Sequence, residues 1–308
     1  MPDAGTGTAP SAQAIRHGVA EANGIQIHFA AAGAGKLILF LHGFPEFWYA
    51  WRAQLAEFSR DFLAVAPDMR GYNLSSKPAA AEQYTLQILA EDIRALAAQF
   101  TSEPFVLAGH DWGGVVAWAF AAQHPNLLEK LVIINAPHPA VFDRELRENV
   151  EQQKASSYML LFRTPEAESI ISANNFGLFQ GGMLADGLRQ GYFSEADCRA
   201  YLQAWSQPGA LTGGLNYYRA ARAGPPSSPA GNLTPLAGQI ASAQVRVPTL
   251  VIWGENDPYL LTGNLRGLEA FVPNLQIHGV PGSTHWVVHE KPELVNFLIR
   301  TFVCPAQS

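Results

Sequence analysis

Apolar and polar positions along the chain fall into two alternating rhythms. Leu37-Ile38-Leu39-Phe40-Leu41, Phe62-Leu63-Ala64-Val65-Ala66, Pro104-Phe105-Val106-Leu107-Ala108 and Leu131-Val132-Ile133-Ile134-Asn135 are short apolar runs that read as strands buried on both faces. Between them the spacing turns helical. Trp48 to Arg60 has that spacing, and so do Leu86, Leu89, Ile93, Leu96 and Phe100, which follow a Thr85 suited to capping a helix. Val115-Val116-Ala117-Trp118-Ala119-Phe120-Ala121 reads as a helix buried on all sides. Ahead of these, Asn23-Gly24 separates Val19-Ala20-Glu21 from the alternating Ile25-Gln26-Ile27-His28-Phe29, a hairpin signal. The pattern predicts an α/β fold: a mostly parallel twisted sheet that starts antiparallel, joined by right-handed crossovers and flanked by helices.

The alternation stops at Ala136-Pro137-His138-Pro139 and resumes at Pro248-Thr249-Leu250-Val251-Ile252-Trp253. The stretch between holds helix-like segments at Asp143 to Leu161, Glu195 to Trp205 and Leu215 to Ala223, and closes in the Pro/Gly/Ser-rich Gly224 to Gly231. This predicts a core domain over 1–137 and 238–308, with a helical cap over 138–237 inserted after the sixth strand. A helix near 264–271, a strand at Leu275-Gln276-Ile277-His278 and a terminal helix from Pro292 to Val303 complete the expected core.

Composition narrows the function classes. A chain of 308 residues, 48% hydrophobic and 15% charged, is long enough to bury a sizeable core and suits a packed enzyme. The net charge of −6 and the lack of any basic run speak against a nucleic-acid partner. Met1 to Ser11 reads as a loose tail with no basic or apolar region of a signal peptide, and no apolar run nears the roughly 20 residues that span a bilayer. A cytoplasmic protein with no membrane association is expected. Cys198 and Cys304 have no metal-ligand spacing and read as free thiols, and nothing in the sequence calls for a metal or cofactor. No feature of the sequence chooses between monomer and homodimer.

The candidate chemistry centres on Gly109-His110-Asp111-Trp112-Gly113-Gly114, between a predicted strand and a predicted helix. Glycines on either side of a sharp strand-to-helix turn let its tip stay exposed, as in the G-x-nucleophile-x-G elbow. The tip is usually Ser; here it is Asp111, and no G-x-S-x-G elbow for a Ser esterase exists. The competing reading of Asp111 is a plain helix N-cap. Downstream, Asp257 in Trp253-Gly254-Glu255-Asn256-Asp257-Pro258 and His285 in Pro281-Gly282-Ser283-Thr284-His285-Trp286 follow strand ends, giving the chain order nucleophile, acid, histidine. Asp257 is preferred over Glu255 because it lies further into the loop. Asn135, where some relatives of such a layout place the acid, supplies no charge. The remaining histidines read as structural. His42-Gly43-Phe44-Pro45 follows the first buried strand, so the Phe44 and Trp112 N–H groups are candidates for an oxyanion hole.

A carboxylate nucleophile displaces at saturated carbon and leaves an alkyl ester, which a water deprotonated by His285 then hydrolyses at its carbonyl. Epoxides and alkyl halides both fit. Opening an epoxide releases an alkoxide and calls for neutral O–H donors, whereas a halide calls for N–H or cationic groups.

The stretches His42-Gly43-Phe44-Pro45-Glu46, Trp48, Trp51-Arg52, Asp68-Met69-Arg70-Gly71-Tyr72, the Asp111 elbow and His285-Trp286 together resemble the soluble epoxide hydrolases of the α/β-hydrolase fold, from about residue 18 to residue 303. The resemblance implies a cis peptide before Pro45, a two-step ester mechanism on a small-molecule epoxide, and two cap tyrosines that polarise the epoxide oxygen. Ser157-Tyr158-Met159-Leu160-Leu161-Phe162 is similar to the segment carrying the first, and Leu215-Asn216-Tyr217-Tyr218-Arg219 to the segment carrying the second. Tyr218 is the candidate, and Tyr217, standing where the family commonly has Trp, is the alternative second acid. His42, Pro45, Trp112, Phe162 and Tyr217 are candidate substrate contacts; Phe44, Phe176 and Val287 are further candidate walls. The alternative is a haloalkane or fluoroacetate-type haloacid dehalogenase. Trp112 in place of the substrate-holding Arg, and Tyr158-Met159 in place of a His-Trp pair, depart from the fluoroacetate enzymes; the haloalkane enzymes lack the tyrosine pair.

Overall fold

A computed structural model describes residues 13–226, 235, 236, 238, 240 and 244–304. The N-terminal tail and most of the 224–231 stretch, together with parts of 232–243, lie outside the described residues.

One eight-stranded sheet runs in the order β1-β2-β4-β3-β5-β6-β7-β8. Its strands are β1 Arg16–Ala22, β2 Ile25–Gly33, β3 Lys36–Leu41, β4 Phe62–Pro67, β5 Phe105–His110, β6 Leu128–Ile134, β7 Thr249–Gly254 and β8 Leu275–Val280. β1 and β2 form the hairpin that Asn23-Gly24 predicts, and β2 pairs antiparallel with β4; every later pairing is parallel. Residues of β3, β5 and β6 alternate between two apolar layers. Leu39, Leu107 and Ile133 face one, and Ile38, Val106 and Val132 face the other, so the sheet is covered on both sides and reads as continuous apolar runs.

The helices of the core are α1 Arg52–Phe58, α2 Leu86–Ala97, α3 Trp112–Gln123, α11 Val287–Glu290 and α12 Pro292–Val303. Thr85 caps α2 by accepting from the Ile88 N–H. The predicted helix over 48–60 starts as a 3-10 turn at Trp48–Trp51, and the one near 264–271 is two 3-10 turns, Thr262–Leu265 and Leu268–Ala270. Gly267 breaks the latter with a φ of 72°.

After β6 the chain leaves the sheet for α4 Pro139–Glu148, α5 Val150–Ala155, α6 Tyr158–Phe162, α7 Ala167–Phe179, α8 Ala185–Gln190, α9 Glu195–Trp205 and α10 Ala210–Ala221. The single predicted segment 143–161 is thus three helices; Asn149 ends α4 and caps α5 by accepting from the Glu151 and Gln152 N–H groups. This helical layer is tied to the ends of the core strands. Trp205 Nε1 donates to the Pro45 carbonyl at 2.5 Å, Tyr201 to Glu46 at 2.9 Å, and Tyr217 to the Arg70 carbonyl at 2.9 Å.

Candidate active site

Asp111 sits between β5 and α3 with φ 49° and ψ −123°, a left-handed conformation that costs an L-residue about 1–3 kcal/mol. The flanking glycines make the turn possible. A Cβ on Gly109 would lie 2.4 Å from the Gly113 carbonyl oxygen, and one on Gly113 would lie 2.2 Å from that of Leu41. Asp111 makes no side-chain cap bond to α3. Its Oδ1 instead accepts from the Phe44 N–H at 2.8 Å, next to the cis Phe44–Pro45 peptide, so the N-cap reading is set aside.

Across from it, His285 Nε2 lies 3.5 Å from Asp111 Oδ2, while His285 Nδ1 bonds Asp257 Oδ2 at 2.7 Å. Asp257 is held from three further directions. The Tyr259 and Leu260 N–H groups donate to Oδ1 at 2.8 and 2.9 Å, and Asn135 Nδ2 donates to Oδ2 at 2.7 Å. Asn135, which carries no charge of its own, thus orients the acid that carries it. Burial works against the charge on His285, but Asp257, with help from Asp111, pushes its pKa up to about 10. Burial also opposes ionisation of Asp257, and His285 with the two backbone donors holds it below the usual carboxylate range.

A cavity of about 340 Å³ opens over these groups, lined by Asp111, His285, Tyr158, Tyr218 and Tyr259 together with Phe44, Pro45, Phe162, Trp286 and other apolar side chains. Burial and then the Asp111 charge push the Tyr158 phenol well above its ordinary value; burial and then Tyr158 do the same for Tyr218. Both phenols are neutral O–H groups facing a carboxylate.

The predicted residues do not all converge there. His42 is fully buried, accepts from the Met69 N–H through Nε2 at 3.0 Å, and lines no part of the cavity. Tyr217 points away, its hydroxyl spent on the Arg70 carbonyl, so Tyr218 is the tyrosine of that pair on the cavity wall. The expected substrate contacts of His42 and Tyr217 are therefore corrected: each side chain is committed to the backbone of the 69–70 turn. Trp112 packs edge-on beneath Tyr218 with centroids 5.0 Å apart and is also absent from the lining, as are Phe176, whose ring packs at a tilt against Trp205, and the buried Val287.

Residues that the sequence left unassigned surround the site. Glu46, 1% exposed, accepts from Tyr201 and lies 3.0 Å from His110 Nδ1 and 2.5 Å from His289 Nε2. Burial opposes its charge, but His289 and His110 hold its carboxyl well below the usual range. His110 in turn reaches the His285 carbonyl through Nε2 at 2.9 Å. Glu46 and His110 stand next to Pro45 and Asp111 in the sequence, which is the one signal that could have marked them; His289 lies in α11.

Residues 36–292 match the family model described as alpha/beta hydrolase fold. The chain is 36% identical to epoxide hydrolase 4 of Mus musculus, over 91% of this chain and 77% of that protein. It belongs to the α/β-hydrolase-fold epoxide hydrolases. Within and around this family it is also 40% identical to the AB hydrolase superfamily protein YfhM of Bacillus subtilis (strain 168), over 91% of this chain and 95% of that one. A crystal structure of Bacillus megaterium epoxide hydrolase in complex with an inhibitor superposes with a TM-score of 0.84 at 36% identity, covering 93% of this chain and 99% of that chain. Among the described residues, no helix is long and apolar enough to cross a membrane.

Proposed function

We propose that the protein hydrolyses small, uncharged epoxides to vicinal diols through a covalent ester on Asp111, with residues 138–237 serving as the cap that closes the site. The observation that carries this reading is the meeting of a carboxylate, the phenols of Tyr158 and Tyr218 and a histidine–aspartate pair in one cavity whose remaining walls are apolar side chains and Tyr259. Asp111 attacks one epoxide carbon, the C–O bond breaks, and the released alkoxide takes a proton from Tyr158 or Tyr218. His285, oriented by Asp257, then deprotonates a water that attacks the ester carbonyl. The developing oxyanion meets the N–H groups of Phe44 and Trp112, the first already 2.8 Å from the Asp111 carboxylate and the second at the open N-terminus of α3. Collapse of this intermediate breaks the ester C–O bond, the added hydroxyl giving its proton to the departing oxygen, so that the diol leaves and Asp111 and the His285 cation are restored.

The charge balance supports the order of steps. In the resting site His285 is a cation between two carboxylates. Alkylation removes the Asp111 charge, so His285 releases its proton, which restores the phenol that protonated the alkoxide, and the imidazole becomes a base only when there is an ester to hydrolyse. Substituting both phenols, Tyr158→Phe with Tyr218→Phe, is expected to slow epoxide opening by at least about 10²–10⁴-fold while leaving the fold intact. Single-turnover assays with an aryl epoxide check this, and opening at the wild-type rate would refute their role as acids.

A further inference from the structure

One wall of the cavity has no part in the two-step scheme. Tyr259 lies two residues beyond Asp257, and its ring meets that of His285 edge-on with centroids 5.5 Å apart and that of Tyr158 edge-on at 5.5 Å. The other ring neighbours of Tyr158 are Phe162 and Tyr218, and those of His285 are His110 and Trp286. Among the described residues, Tyr259 is thus the ring that touches both Tyr158, one of the two proposed acids, and the proposed base.

Its backbone is fixed from both sides. The Tyr259 N–H donates to Asp257 Oδ1 at 2.8 Å, and its carbonyl accepts from Gln152 Nε2 at 2.8 Å. Gln152 comes from α5 and is fully buried. The same amide nitrogen donates to Ser156 Oγ at 2.8 Å, and Gln152 Oε1 accepts from the Leu261 N–H at 2.9 Å and from Asn264 Nδ2 at 2.8 Å. Four bonds use two donors and two acceptor sites, the full capacity of one side-chain amide. They join the turn just before Tyr158 to the loop that carries Asp257.

We infer that Gln152 and Tyr259 form a clamp of positioning residues that holds Tyr158 in register with the Asp257–His285 pair, the Tyr259 ring also deciding which epoxide carbon meets Asp111. This rests on the ester mechanism above. The acid is supplied by the cap and the base by the core, so their spacing depends on whatever bridges the two. A misplacement of about 1 Å costs a reaction of this kind on the order of 10²-fold. Gln152 ties the two backbones, and the Tyr259 ring fills the space between their side chains. With the epoxide oxygen pinned by the phenols, that ring limits how the rest of the molecule turns.

The test compares Tyr259→Phe, Tyr259→Leu and Gln152→Leu with the wild type, using styrene oxide. Ester formation on Asp111 is followed by quench and intact mass, and hydrolysis over many turnovers in heavy-oxygen water reports the attacked carbon from the position of the label. Tyr259→Phe keeps the ring and should keep the wild-type ratio of attack at the two carbons; a shift as large as that of Tyr259→Leu assigns the effect to the hydroxyl and overturns a clamp made by the ring. Tyr259→Leu and Gln152→Leu should slow ester formation by about 10–100-fold and shift the ratio of attack at the two carbons. Tyr259 is partly exposed, so its variants carry the test even where the buried Gln152→Leu fails to fold. A Tyr259→Leu protein with the wild-type rate and carbon ratio overturns the clamp, as does one in which only KM rises. Wild-type protein that yields diol without any Asp111 ester overturns the mechanism beneath it as well.

Discussion

Asp111→Asn removes the charge that alkylation would remove and leaves the shape of the side chain, so it reports how far that charge holds the proton on His285. Asp111 Oδ2 stands 3.5 Å from His285 Nε2, and both side chains are almost wholly buried. At the effective dielectric constant of about 20 that suits such sites, two unit charges at this separation attract by about 5 kcal/mol. Losing that attraction makes the imidazolium give up its proton roughly three-thousandfold more readily. In the wild type, where Asp257 and Asp111 push the pKa to about 10, the ring should stay protonated through neutral pH. In Asp111→Asn it should titrate back toward the ordinary histidine range, with Asp257 still supporting the charge through its 2.7 Å bond. NMR titration of the His285 ring nitrogens in the two proteins measures this directly. Equal titration midpoints would refute the idea that the nucleophile's charge decides when His285 becomes a base.

Two further outcomes concern stability. The folded-state pKa of His285 lies above the ordinary histidine value of about 6.5, so this group favours the fold fully below about pH 6.5 and progressively less as the pH rises to about 10. The melting temperature should fall across that window, His285→Gln should flatten the fall, and an equal slope in both proteins would contradict it. Glu46→Ala removes the acceptor shared by Tyr201, His110 and His289 and should cost about 3–5 kcal/mol in denaturant melts, a loss below about 1 kcal/mol showing that the buried network contributes little.

Much of this molecule was legible in its apolar rhythm. The central strands are apolar on both faces and their helices carry apolar stripes, so pattern alone located β3 to β7, the hairpin and α2 within a few residues. Boundaries set by local turns were less visible: Asn149, which ends α4 and caps α5, stands inside a stretch of unbroken helical spacing. The elbow could be read because its glycines answer to a steric demand that local sequence records. Side-chain direction could not. Tyr217 and Tyr218 are neighbours on α10, about 100° apart around the helix, so one reaches the Arg70 carbonyl and the other the cavity. Their order in the chain does not tell which does which. The Gln152 and Glu46 networks join residues far apart in sequence, and only the folded arrangement brings their partners together.

The central claim is that Asp111 is alkylated and that water enters at its ester carbonyl. Hydrolysis of an aryl epoxide in heavy-oxygen water, with enzyme in excess so that each molecule turns over once, tests it most directly. One heavy oxygen is expected in the peptide containing Asp111 and none in the diol. Label in the diol with an unlabelled Asp111 would mean that water attacks the epoxide itself, and the ester mechanism would fall.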